Sequence, residues 1–313
     1  MNWKALLRKI GPWLITILCF AFLYGRMNGA AAREGLSVGT YLGQVFTSVD
    51  WIAWLGLMIP YSLVFVLIDT TVLWRAISWW NARIGFASLL PIRASAYILS
   101  ILNEQVGKGA IALYLNRREG VSGWELGSTM LVIMLCEFLY LLAWAALGIG
   151  LRWDDLPEAM SIFRAVPIVA AAGFAFFLLI LAIFRGPLAD RIPLASRPIF
   201  ASFRRARVWQ YLVIMALRSP ALLAGAWVYS RALGLFGIEV PFWEMLSILP
   251  VIFFGTFVPG PFRAVAVSLW PALFPDAPGP MAAFGFVQHN FFVLFNAALG
   301  LLFLSRANRE LEV

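Results

Sequence analysis

Seven polar residues stand out because of where they fall in the chain. Glu137, Arg218 and His289 each sit well inside a long apolar run, Asn290 follows His289 directly, and Arg263 comes just after the sequence Pro259-Gly260-Pro261. Glu104 and Lys108 flank Gly107 in a short polar stretch between two short apolar ones. An ionisable side chain at the centre of a bilayer costs about 2.5 kcal/mol or more on insertion scales, so each of these needs a partner or a wet cavity. A guanidinium grips phosphate or carboxylate bidentately, so Arg218 and Arg263 suit either an anionic ligand or a buried acid. Glu137 can be that acid, neutralising Lys108, Arg218 or Arg263. Glu104 and Lys108, four apart, can instead neutralise one another along a helix face. His289 is the single histidine; it is either a packed core residue or, beside Asn290, a proton carrier, since imidazole titrates near physiological pH. Asp69, five residues before Trp74, either reaches the membrane interface or joins the same polar set.

Other chemistries find no support. With one histidine, and with Cys19 and Cys136 each inside an apolar run, there is no metal-ligand spacing. No P-loop is present, so no cofactor and no nucleotide hydrolysis are expected. The net charge of +8 would suit nucleic acid in a soluble protein, but its placement along this chain follows membrane topology instead, and no nucleic-acid partner is expected.

The elements that must hold these residues are helices in lipid. Hydrophobic residues make up 62% of the 313 and charged ones only 13%, against about 25% in an average soluble domain. The apolar residues come in continuous blocks, not in the alternating ten-residue segments of a β-barrel, so helices must satisfy the backbone. Six blocks are expected to cross the roughly 30 Å of hydrocarbon: five of full length near residues 51–74, 124–151, 165–184, 208–233 and 281–304, and a first whose strictly apolar part, near 11–24, is shorter. The first, preceded by Lys4, Arg8 and Lys9 and followed by Ala30, Ala31 and Ala32, has features of a secretory signal peptide, but a retained anchor is expected. With the N-terminus inside, sixteen Lys and Arg residues fall in cytoplasmic segments, Arg93 among them, and five outside. That bias predicts a multi-pass protein of the cytoplasmic membrane with both termini in the cytoplasm. The basic run 185–207 reads as a cytoplasmic connector, with six arginines that can also hold anionic lipid.

Two segments do not fit as spans. Residues 83–124 have basic ends and two short apolar runs around Gly107 and Gly109, which predicts a re-entrant hairpin entering from the cytoplasm and turning at those glycines. Residues 241–275 are interrupted at Pro250, Gly255, Pro259, Gly260 and Pro261, which predicts a second hairpin entering from the opposite face and turning at Pro259 and Gly260. Each hairpin stands between two spans, so 51–151 and 208–304 form an inverted repeat within a single membrane domain of residues 1–313. Glu137 lies 30 positions after Gly107, and Asn290 lies 30 after Gly260. Paired broken segments with polar residues near the midplane point to a transporter's substrate site.

The stretch RASAYILSILNEQVGKGAIALYLNRREG, with the following span that carries Glu137, resembles the transmembrane domain of lysylphosphatidylglycerol synthases and related stand-alone flippase-like membrane proteins. LPVIFFGTFVPGPFRAVAVSLWP is similar to that family's second glycine-containing hairpin. The resemblance covers most of residues 50–305. It implies movement of a lipid or lipid-linked sugar between leaflets, without the soluble aminoacyl-transfer domain. Asn103-Glu104-Gln105 stand where the family usually has an early proline or glycine pair, and Arg263 and Ala264 where it has a late acidic residue, changes that bear on headgroup charge. The expected function is therefore transport of a lipid with an anionic phosphate headgroup, held by Lys108, Arg218 and Arg263 with Glu137 balancing charge. Alternatives are a membrane-embedded lipid transferase with Glu137 or His289 as general base, and a non-transporting accessory subunit that partners a lipid-modifying enzyme.

Overall fold

The computed structural model describes residues 3–101, 104–154, 156, 158–185, 193–258 and 263–311, with side chains for all of these except 3–9, 104–106, 108, 158–160, 162, 194, 195 and 311. Every regular element among them is helical. Six helices are long and apolar enough to cross a membrane: α1 (Trp3–Arg33), α3 (Trp51–Trp80), α6 (Gly123–Leu151), α7 (Val166–Arg185), α9 (Val208–Gly234) and α12 (Pro278–Leu311). They turn large apolar side chains outward, as at Leu18, Ile52, Ile168, Leu178 and Leu302. Hydrocarbon is the solvent that tolerates such a surface, and the chain is an all-α polytopic membrane protein.

Local chemistry sets the helix starts. The Asp50 carboxylate accepts from the backbone N–H groups of Ile52 and Ala53, both at 3.0 Å, and so opens α3. At the start of α9, Gln210 Oε1 accepts from the Arg207 N–H at 2.7 Å and from Trp80 Nε1 at 3.0 Å, which ties α9 to the end of α3. The short helix α2 (Val38–Ser48) begins on Ser37, whose hydroxyl accepts from the Thr40 N–H. Within the connector, α8 (Ala201–Arg205) ends on Arg205, which donates to Glu125 at 2.9 and 3.1 Å and to the Trp80 carbonyl at 2.8 Å. That arginine is a strut between connector and bundle.

Four shorter helices occur as two folded-back pairs. In the first, α4 (Phe86–Ser100) and α5 (Glu104–Glu119) run back along each other, with Gly107 against Ala96 and Ser100, and with Ile111 and Tyr114 beside Ile92 and Ser95. In the second, α10 (Phe242–Gly255) meets α11 (Ala264–Leu273) where Gly255 faces Ala266. Gly107 and Gly109 lie within α5, so the turn does not fall on them; α4 has already ended at Ser100. The role of Gly107 is close packing. A Cβ there would come within 2.9 Å of the Ala96 carbonyl oxygen, and only a bare Cα lets the two backbones approach so near. Gly109 faces open space. Pro259 and Gly260, the other expected turn residues, lie outside the described residues.

The two halves of the chain interlock crosswise. Helix α12 of the second half packs on α4 of the first, α6 of the first packs on α10 of the second, and α3 meets α9 between them. A glycine sits at each crossing. A Cβ at Gly300 would meet the Ala94 carbonyl oxygen at 2.5 Å, one at Gly148 the Ser247 Cα at 2.7 Å, and one at Gly225 the Tyr61 hydroxyl at 2.7 Å. Ala94 and Ser247 stand 153 positions apart, the same offset as Gly107 and Gly260.

Candidate functional site

The middle of this bundle holds a cavity walled by side chains from α3, α4, α6, α9, the end of α10, and α12. Helical spacing explains why these residues share it. Tyr61, Phe65 and Asp69 recur every four residues and so line one face of α3, and Arg93, Tyr97 and Ser100, four and then three apart, line one face of α4. Ser100 at the end of α4 and Thr256 just beyond α10 both reach the cavity, so the ends of the two folded-back pairs converge there. The space for water-sized occupants is about 60 Å³. At about 10–15 Å³ each that is roughly four to six waters, the size of a phosphate group; a larger headgroup would need the bundle to open further, and a lipid tail does not fit.

Asp69 organises the charge. Its Oδ2 accepts from Arg93 Nε and from the Tyr97 hydroxyl at 2.8 Å, while Oδ1 pairs with Arg218 Nη1 at 2.9 Å. Arg218 Nη1 also lies 3.6 Å from Glu137 Oε1. The Arg93 guanidinium stacks over the Tyr97 ring at 4.1 Å, and that of Arg263 lies 5.6 Å from the centre of the Phe292 ring. Asp69, Arg93 and Arg218 are each about 95% buried, so these contacts replace hydration that has been lost. At His289, Nε2 accepts from Trp270 Nε1 at 3.2 Å. An indole can only donate, so Nε2 carries no proton and the ring is neutral with its hydrogen on Nδ1.

Among the described side chains, the lining therefore holds three guanidiniums against two carboxylates. The described part of the lining is thus a buried cluster of guanidiniums and carboxylates from separate helices.

Of the residues singled out in the sequence, Glu137, Arg218, Arg263 and His289 line this one cavity. Asn290 does not: its amide donates to the Phe286 carbonyl of its own helix at 2.7 Å, on a neighbouring face of α12. The side chains of Glu104 and Lys108 are outside the described set. Arg93 corrects the charge count, because it is not a cytoplasmic loop residue but the buried partner of Asp69. Removing it leaves the orientation bias at fifteen to five. Sequence reasoning also passed over Tyr97 and Gln288. The signal for the first was available, since Arg93, Tyr97 and Ser100 at one-turn spacing in a short apolar run mark a polar stripe.

Compared with protein-family models, curated proteins and solved structures, the chain matches none.

Proposed function

We propose that this protein moves a lipid or lipid-linked intermediate with an anionic phosphate headgroup between the leaflets of the cytoplasmic membrane. The observation that carries the reading is a cavity among the spanning-length helices α3, α6, α9 and α12 whose wall carries three guanidiniums, Arg93, Arg218 and Arg263. The headgroup would enter the cavity while its hydrocarbon remained in the bilayer.

Two further features favour transport. Helix pairs α4–α5 and α10–α11 are too short to span singly, and in our reading they are re-entrant hairpins that enter from opposite faces and meet at the cavity. The crosswise packing of the halves, with glycine at both matching crossings, is what an inverted repeat of 51–151 and 208–304 produces. Such a pair of halves can rock about a central site and open it to either leaflet in turn. Both termini are cytoplasmic in this arrangement, following the basic-residue bias.

The test is movement of a tail-labelled anionic phospholipid in vesicles containing the purified full chain. Label in the inner leaflet should become accessible to an impermeant quencher faster than in protein-free vesicles. Equal rates in the two preparations would end the transport reading.

A further inference from the structure

We propose that Gln288 makes the cavity selective for a phosphate headgroup bearing two adjacent hydroxyls, a glycerol or a sugar, over one of equal charge that lacks them. This rests on the transport reading above and specifies its substrate.

Gln288 is fully buried, it lines the cavity, and neither its amide nitrogen nor its amide oxygen has a hydrogen-bond partner. Its neighbours in the cavity are engaged: Asp69 uses both oxygens, and His289 Nε2 is taken by Trp270. Buried polar groups are satisfied in the great majority of proteins, so an amide left open on both sides marks a place where a polar molecule belongs. Its chemistry then says which kind. Nε2 donates and Oε1 accepts, side by side in one plane. Phosphate oxygens only accept and an ammonium only donates, so either would leave half of the amide unmet. Two adjacent hydroxyls engage both ends of it, one accepting from Nε2 while the other donates to Oε1.

The position of the amide also suits a headgroup that carries phosphate. Phe292 lies one helical turn beyond Gln288 on α12, and the Arg263 guanidinium sits over its ring. Residues four apart share a helix face, so the amide and the guanidinium address the same end of the cavity. A phosphate held by Arg263 would place the next few atoms of its headgroup beside Gln288. The aromatic rings of Phe292, Tyr61 and Tyr229 offer C–H faces of a polyol an apolar wall.

The experiment uses the full chain in phosphatidylcholine vesicles, each with a trace of one tail-labelled lipid. The lipids are phosphatidylglycerol, phosphatidylpropanol, which has the same charge and no free hydroxyl, and a glycosyl-phosphoryl lipid. The wild-type protein should move phosphatidylglycerol or the glycosyl lipid about tenfold or more faster than phosphatidylpropanol, the scale set by one buried amide group left unpaired. In Gln288→Met, or in Gln288→Leu if the first does not fold, that ratio should fall toward one. Preference between the two hydroxylated lipids separates a glycerol from a sugar ligand, and either result supports the proposal. Equal wild-type rates for phosphatidylglycerol, the glycosyl lipid and phosphatidylpropanol, or a ratio that survives in both variants, would overturn the role of Gln288 while leaving transport intact. If neither variant folds, the wild-type ratio decides alone. No movement of any anionic lipid above protein-free vesicles would instead defeat the transport reading, and this proposal with it.

Discussion

Asp69 and Arg218 meet at 2.9 Å across the α3–α9 contact, one residue from each half of the chain. The same carboxylate also takes Arg93 from α4. One acid thus holds two cations from separate elements. Glu137, by contrast, stands 3.6 Å from Arg218, beyond hydrogen-bond length.

The first prediction follows from that difference. Asp69→Asn takes the shared carboxylate from two buried guanidiniums and should destabilise the protein by about 3–5 kcal/mol, the usual cost of breaking a buried pair. Glu137→Gln should fold and melt close to wild type while slowing lipid movement. Melting in detergent checks the first half and the vesicle assay the second; equal melting temperatures for both variants would count against a central role for Asp69.

Arg263 is the one non-glycine residue with positive φ among the described residues, at φ 49° and ψ 38°, immediately before α11. Left-handed backbone costs an L-residue about 1–2 kcal/mol, and glycine almost nothing. Arg263→Gly should therefore leave the fold as stable as wild type or slightly more so, yet abolish movement of anionic lipid. Retained movement in a well-folded Arg263→Gly protein would remove this guanidinium from the site.

Glycines at the crossings of the two halves should be intolerant of even one methyl group. Gly300→Ala and Gly148→Ala force backbone against backbone and should each cost about 1–3 kcal/mol. Gly109→Ala and Gly150→Ala meet nothing within 4 Å inside a helix and should be neutral or stabilising by up to about 1 kcal/mol. Thermal melting of the four variants would show whether the seam is as tight as the backbone distances require.

Topology can be read with single cysteines in a background lacking Cys19 and Cys136. Cysteines at Trp153 and Asp276 should react with impermeant reagents from outside, and ones at Arg118 and Arg197 only from the cytoplasm. Cysteines at Ser100 and Thr256 should react with a small hydrophilic reagent in spite of their depth, because both residues line the cavity. A reversed pattern at the first four would invert the assignment of sides, and inert cysteines at the last two would count against a wet, shared cavity.

The spans were legible because hydrocarbon imposes a single length and a single polarity on any helix that crosses it. The boundaries expected for α3, α6, α9 and α12 match to within several residues, and the excess length lies mostly at their ends. The break in the first short segment was not legible from its glycines, which lie inside α5, and Pro250, expected to interrupt the second, is carried within α10; the role of Gly107 was not legible either. Glycine serves equally for a turn and for a close helix contact, and only the partner, here Ala96 on another element, distinguishes the two. Arg93 was misread for a related reason. A single arginine between a basic segment and an apolar run is ambiguous until its acid is known, and Asp69 lies 24 positions earlier. Gln288 was overlooked because an uncharged amide in an apolar helix gives no signal without knowledge of which neighbours fail to pair with it.

Helix α4 has two kinds of surroundings on its two sides. Arg93, Tyr97 and Ser100 face the polar cavity, while Ile92, Ile98 and Leu99 border an apolar groove of about 320 Å³ that Ile111, Leu301 and Leu304 complete. A helix with side chains is only about 10–12 Å across. An amphiphile straddling α4 would thus have its water-soluble and oil-soluble ends each in a compatible medium across the thickness of one helix, with no stage at which the whole molecule must dissolve in either. If the transport proposal holds, the barrier such a helix would lower is one of solubility, and a modest tilt of α4 would alter both compartments together.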